Sequence, residues 1–179
     1  MIVLGIDPGK SGGLAIIARS PGKPPRIIDC IDVPNDDEGV DALAVISFIQ
    51  QNPPDRCIIE RVSPMPSLPD KGDKPGAAPR KMGATGAFNF GGAVFTLRTC
   101  VIGLGFKLIK CEAAAWKKVH GLSSKDPDTG ARLETRQVKE NSRQKALKVF
   151  ADGAKFFPNI GHHNRAEACL IAHYGSMLT

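Results

Sequence analysis

The chain opens on a stretch that is apolar at every position. Ile2-Val3-Leu4-Gly5-Ile6 is too short for a helix and shows no polar alternation, the pattern of a central strand covered on both faces. Asp7 closes it. Turn chemistry at Pro8-Gly9-Lys10-Ser11-Gly12-Gly13 leads into a second apolar run, Leu14 to Ala18, so the two strands are expected to form an antiparallel hairpin. A third strand is predicted from Arg26 to Val33, after the Pro/Gly break at 21–25. Asp36-Asp37-Glu38 offers capping carboxylates to a helix over Val40 to Gln51, which Asn52-Pro53-Pro54 would stop. The fourth strand, Cys57-Ile58-Ile59-Glu60, again ends in a carboxylate.

From Ser63 to Arg80 the prolines 64, 66, 69, 75 and 79, with Gly72 and Gly76, forbid regular structure. A mobile loop at about 63–82 is expected, leaving directly from the strand that bears Glu60. Gly83 to Ile102 is rich in Gly, Ala and Phe and reads as a helix, either buried in the core or forming a dimer surface. A fifth strand (Phe106 to Cys111), a short helix (Glu112 to Val119), a turn-rich stretch (121–130), a basic amphipathic helix (Thr135 to Ala151) and a last helix (His163 to Met177) complete the chain. The fold class is α/β: a five-stranded mixed sheet, three antiparallel strands followed by two parallel ones, flanked by helices.

With 179 residues, 42% of them hydrophobic, the chain can bury one core and is too short for two ordinary domains, so a single domain over 1–179 is expected. Lys and Arg outnumber Asp and Glu by 24 to 18, a net charge of +6 that favours a polyanionic partner, either nucleic acid or an anionic membrane surface. No run approaches the roughly 18 apolar residues of a membrane span, and the start lacks a basic segment before its apolar run. A soluble, cytoplasmic protein is expected. The five cysteines are scattered without a CxxC pair, which reads as buried thiols rather than disulfides or a zinc site.

Three acids stand where solvated carboxylates normally do not. Asp7 and Glu60 close apolar strands, and Glu167 lies inside an apolar helix on the face of Leu170, Ile171 and Tyr174. A buried carboxylate needs a cation, a metal or a proton. If the two strands are neighbours and the last helix crosses their ends, the three acids converge, and Mg²⁺, or Mn²⁺ in its place, relieves their repulsion most simply. Two such ions about 4 Å apart would activate water and stabilise the leaving oxygen of a phosphodiester. His163 and Asn164, one turn before Glu167, are candidates to add or orient a ligand. Taken singly each piece has an ordinary explanation: Asp7 as a turn residue, Glu60 paired with Arg61, His162-His163-Asn164 as a helix cap.

The window 107–148 is locally basic. On its helix, Arg136, Lys139 and Arg143 share one face at i, i+3 and i+7, a spacing suited to phosphates. Lys117 and Lys118 on the preceding short helix, and Arg80 and Lys81 at the end of the loop, extend the expected DNA-binding surface. Lys139 has a second candidate role, stabilising charge on a scissile phosphate. Trp116 suits either the core or a stacked base.

Gly5-Ile-Asp7-Pro-Gly9, then Ile59-Glu60-Arg61-Val62, then His163-Asn164-Arg165-Ala166-Glu167-Ala168 before an apolar helix resemble the signatures of RuvC-type Holliday junction resolvases, particularly the phage-encoded branch. Trp116-Lys117-Lys118 and Lys139 to Arg143 are similar to that family's basic stretch. The resemblance spans nearly the whole chain. It implies an RNase H-like fold, a homodimer acting on branched double-stranded DNA in the host cytoplasm, and Mg²⁺-dependent endonuclease activity with Asp7, Glu60 and Glu167 as metal-binding catalytic carboxylates. Two departures stand out. Where bacterial members place an acid or histidine three residues before the final carboxylate, this chain has Asn164. Where they place a wedging phenylalanine, it has Ser63. A non-catalytic or weakly catalytic junction-binding protein is therefore the alternative. An actin-like or sugar-kinase-like nucleotide-binding domain, suggested by Asp7-Pro8-Gly9 and Gly12-Gly13, is a third reading that the short chain disfavours.

Overall fold

A computed structural model of the chain describes residues 1–62 and 83–178. The loop expected at 63–82, with Ser63, Arg80 and Lys81, lies outside the described residues. The sheet contains β1 (Ile2–Asp7), β2 (Gly13–Ala18), β3 (Arg26–Asp32), β4 (Arg56–Arg61) and β5 (Leu108–Glu112), in the order β3-β2-β1-β4-β5. β1, β2 and β3 are antiparallel in turn, and β4 and β5 run parallel to β1, as the sequence implied.

The wholly apolar strands are explained by two cores. Val3 and Ile58 point to one face, with Trp116, Phe150 and the buried residues of α6 (His163–Gly175). Leu4, Ile6 and Ile59 point to the other, under α1 (Ala42–Gln51) and α2 (Ala84–Gly103). Adjacent residues on one strand therefore feed opposite layers, so neither face tolerates a polar alternate. All five cysteines are buried free thiols, as expected.

Local differences from the sequence reading have local causes. α1 begins at Ala42, capped by Asp41, whose carboxylate accepts from Ala44 N–H at 2.9 Å. Asp36 instead closes a turn by accepting from the N–H groups of Glu38 and Gly39, at 2.9 Å each. Between α4 (Thr135–Val149) and α6 lie α5 (Gly153–Phe156) and a 3₁₀ turn (Ile160–His162), too short to leave a periodic signal in the sequence.

α6 rests directly on the sheet because two glycines leave room for it. A Cβ at Gly5 would lie 2.2 Å from Ala168 O and 2.5 Å from Ala172 N, and one at Gly13 would lie 2.4 Å from Asn164 O. Both contacts are with helix backbone, so any side chain there would lift α6 away.

Behind this contact His120, which follows α3 (Ala113–Val119), stacks on His173 with ring centroids 5.4 Å apart, and Phe150 meets His173 edge-on. His120 Nε2–H donates to Leu170 O at 3.0 Å, whereas His173 Nδ1 is buried with no partner among the described residues. Burial, followed by the charges of His120, Arg19 and Lys145, pushes the His173 imidazole down to about 4. Unfolded chain would bind this proton near pH 6.5, so the stabilisation is complete above about 6.5 and is lost as pH falls through about 4. Replacing His173 by Phe is expected to flatten the acid-side fall in stability by on the order of 2 kcal/mol after allowance for partial exposure, read from denaturation at each pH. Parallel profiles for the two proteins would refute this.

Candidate active site

β1 and β4 lie side by side, with Ile6 opposite Ile59, so Asp7 and Glu60 fall one residue further on at the same edge of the sheet. By strand alternation both share the face of Val3, Gly5 and Ile58, the face that α6 covers. Asn164 and Ala168 of α6 are the residues seated on Gly13 and Gly5. Glu167 lies between them, so the same glycine contacts that dock the helix deliver its carboxylate to the end of β1.

Asp7 and Glu167 line one cleft of about 700 Å³, together with His163, Asn164 and Lys139. Burial raises the Asp7 carboxyl well above the usual range; Glu167 and then Glu60 raise it further, and Lys117 opposes them. Burial also raises Glu60, against the Trp116 hydrogen bond and Lys117, with Glu167 and Glu112 adding to the rise. The three acids thus occupy one electrostatic neighbourhood, half-buried and mutually repelling. Arg61 does not neutralise Glu60: it pairs with Glu112 at 3.2 Å across the exposed ends of β4 and β5.

The donor set matches a hard divalent cation in kind, since it consists of carboxylate oxygens with too little cationic compensation. It is not a finished cage. Among the described residues no three His, Cys, Asp or Glu side chains already stand as a metal-binding group. Glu60 shows the reason: one of its oxygens accepts from the Nε1–H of fully buried Trp116 at 2.6 Å, and it does not line the cleft.

His163 donates Nδ1–H to Ile160 O at 3.0 Å, which leaves Nε2 as the nitrogen with a lone pair. Asn164 fastens α6 to the turn between β1 and β2 by donating from Nδ2 to Ser11 O, and its Oδ1 remains an acceptor. Lys139 lines the same cleft. Lys117, read from the sequence as a phosphate contact, is the cation whose charge acts on both Asp7 and Glu60, and its Nζ stands 5.1 Å from the Trp116 ring centroid. The Trp116–Glu60 bond was missed because the indole was weighed as core or as a stacking surface. It is both a core residue and a hydrogen-bond donor to the Glu60 carboxylate, a combination that only its neighbours reveal.

The expected cation row on α4 is shorter than the sequence suggested. Arg136 is exposed, but Arg143 is engaged. Arg143 Nε and Nη2 donate to the two Glu140 oxygens at 3.0 and 2.8 Å, and Nη1 donates to Phe157 O at 3.0 Å. A glutamate one helical turn earlier and a chain crossing below α4 convert that arginine into a strut between α4 and α5.

No protein-family model matches the chain, and no curated protein does. Among solved structures, RuvC of Thermus thermophilus in complex with Holliday junction substrate aligns over 98% of this chain and 93% of its own, with TM-score 0.62 and 16% identity. A second Thermus thermophilus RuvC structure gives 0.61 and 17% over the same shares. The Fowlpox virus resolvase, in complex with substrate Holliday junction DNA, aligns over 98% and 99% with TM-score 0.53 and 12% identity. The chain therefore has the RNase H-like fold that RuvC and the poxvirus resolvase share.

Proposed function

We propose that this protein is a structure-selective DNA endonuclease that resolves four-way and other branched DNA junctions by divalent-metal-dependent phosphodiester hydrolysis. The observation that carries the reading is the gathering of Asp7, Glu60 and Glu167, from the first strand, the fourth strand and the last helix, into one field with little cationic compensation. The similar folds of RuvC and the Fowlpox virus resolvase, both solved with Holliday junction DNA, support the choice of substrate.

Asp7, Glu60 and Glu167 would hold Mg²⁺, or Mn²⁺ in its place, with His163 Nε2 and Asn164 Oδ1 as further donors at the cleft wall. Bound there, the metal supplies an activated water and stabilises charge at the phosphorus. Trp116 orients Glu60 through its indole N–H. Lys139, on the cleft wall, and Lys117, beside the acids, steady the negative phosphate, while Arg136 holds the flanking backbone and Lys118 supplies a further DNA phosphate contact outside the cleft. Phe88, Phe95 and Ile102, 81, 64 and 55% exposed and spaced seven apart on α2, would meet the same face of a second copy, giving a homodimer with two sites. Among the described residues no helix is long and apolar enough to cross a membrane. The phage-encoded branch and the host cytoplasm belong to this same reading.

The second reading, a junction-binding protein with weak or no cleavage, draws on Glu60 being held by Trp116 and on a neutral amide at Asn164. Incubating a four-way junction, a fork and a linear duplex side by side with Mg²⁺ or Mn²⁺ separates the two. Nicking of the junction, abolished by chelation and weaker on linear duplex, is the expected result. Tight junction binding without nicking under either ion would establish the second reading, and absence of binding to any DNA would defeat both.

A further inference from the structure

A polar hairpin at residues 124–133 stands between two hollows of different character. Its legs are joined by the antiparallel bridge between Lys125 and Arg132, with Asp126 N–H donating to Ala131 O at 2.8 Å and Leu133 N–H to Ser124 O at 2.9 Å. The tip is closed from within. One Asp126 carboxylate oxygen accepts from Asp128 N–H at 3.0 Å, Thr129 N–H at 2.8 Å and the Thr129 hydroxyl at 3.0 Å. Gly130, at φ +66°, turns the chain back. The hairpin is exposed at all of its residues but Asp126 and Leu133, yet hydrogen-bonded like a small element, a preorganised projection rather than a slack connection.

On one side lies the 700 Å³ cleft of Asp7 and Glu167, with Arg132 on its wall. On the other is a crevice of about 480 Å³ between α3, α4 and the hairpin, lined by Lys117, Lys118, Ser123 and Lys125. Ser124 and Val138 border both hollows, so the base of the hairpin is the partition. No carboxylate lines the crevice, and among the described residues none of its three lysines is in an ion pair. Lys117 is shared with the fields of Asp7 and Glu60, so Lys118 and Lys125 are the ammonium groups left to an outside anion; beside the crevice hydroxyls they suit phosphate oxygens, and the crevice lining offers a metal no carboxylate.

We propose that the hairpin parts two nucleic-acid strands: one passes Arg132 into the acidic cleft, and the other is held by its phosphates at Lys118 and Lys125 and is spared. This rests on the nucleic-acid reading above and gives that reading a structural basis for selectivity. Both hollows fill together only where two strands diverge. A linear duplex fills one, or must be opened by the hairpin first.

The test measures binding alone, by fluorescence anisotropy in an Asp7→Asn background with Ca²⁺ present to offset the remaining cleft carboxylates, on a four-way junction, a linear duplex and a single strand. One variant carries Lys118→Ser with Lys125→Ser, and a second replaces residues 126–131 by Gly-Gly, which keeps Lys125 and Arg132 as hairpin legs. In the first, junction affinity is expected to fall at least about tenfold, with the salt slope reduced by about two, while single-strand affinity changes less than about threefold. In the second, junction and linear duplex are expected to bind within about threefold of each other. Equal proportional losses on junction and single strand would overturn the proposal by making the crevice part of one continuous track. Unchanged junction affinity in the first variant, or undiminished discrimination in the second, would overturn it as well. Failure of the background protein to bind any of the three DNAs would instead defeat the reading on which the proposal rests.

Discussion

Asp7→Asn is expected to reduce junction cleavage by at least about a thousandfold, some 4 kcal/mol of transition-state stabilisation, while leaving junction binding intact. Asp7 is the acid that feels both of the others, and it lines the cleft where Glu167 and Lys139 also stand. The same substitution is expected to stabilise the metal-free fold. The Asp7 carboxyl is raised, so the folded state takes up its proton more readily than unfolded chain does. The associated stabilisation is complete below the ordinary carboxylate value and is lost as pH rises through the raised one. At neutral pH the wild-type charge is thus a cost, and asparagine removes it. A gain of about 1 kcal/mol, or roughly 2–4 °C in thermal midpoint, is a reasonable scale for a chain of this size. Mg²⁺ should raise the midpoint of the wild type more than that of the variant. Normal cleavage by Asp7→Asn would end the proposed mechanism. A lower midpoint in metal-free buffer would show that Asp7 is held by a structural bond rather than strained by its neighbours.

Gly5→Ala is expected to damage the fold severely by lifting α6 from the sheet. Its new methyl would lie 2.2 Å from Ala168 O and 2.5 Å from Ala172 N, and helix backbone has no rotamer by which to yield. A loss of about 3 kcal/mol or more is expected, a large part of a typical domain's stability. Gly175→Ala provides the scale: its methyl would meet the Ile58 side chain at 2.7 Å, and a side chain can turn away. Chemical denaturation should therefore rank Gly5→Ala well below Gly175→Ala. Whatever Gly5→Ala protein remains folded should also cleave poorly, because lifting α6 carries Glu167 away from Asp7. Equal stability of the two variants would mean that α6 can shift without cost, and that its seat on the sheet does not fix the site.

Much of this architecture was legible in the sequence because the local rules agreed. Runs apolar on both alternating faces admitted only strands buried from two sides, and β1, β2 and β4 formed at those places. α6 was placed correctly for a reason only partly right. The expected stripe of Leu170, Ile171 and Tyr174 exists, but Ala166, Ala168, Cys169 and Ala172 are buried too, so the helix is enclosed on most sides rather than amphipathic. Arg143 is the reverse case. Its spacing from Arg136 and Lys139 suggested an open row, and the carbonyl of Phe157 that helps to claim it belongs to a turn with no periodic signature.

By itself the sequence determined which elements form, which faces they bury, and that three acids end up on apolar elements where isolated charges are costly. Tertiary structure alone decided how near those acids come, that Trp116 holds Glu60, that Lys117 is the cation beside them, and that a hairpin divides the cleft from a basic crevice. The physical reason is that periodicity and capping act within a few residues. Distances between side chains remote in sequence depend instead on how closely backbones can pack, which here rests on two glycines beneath one helix.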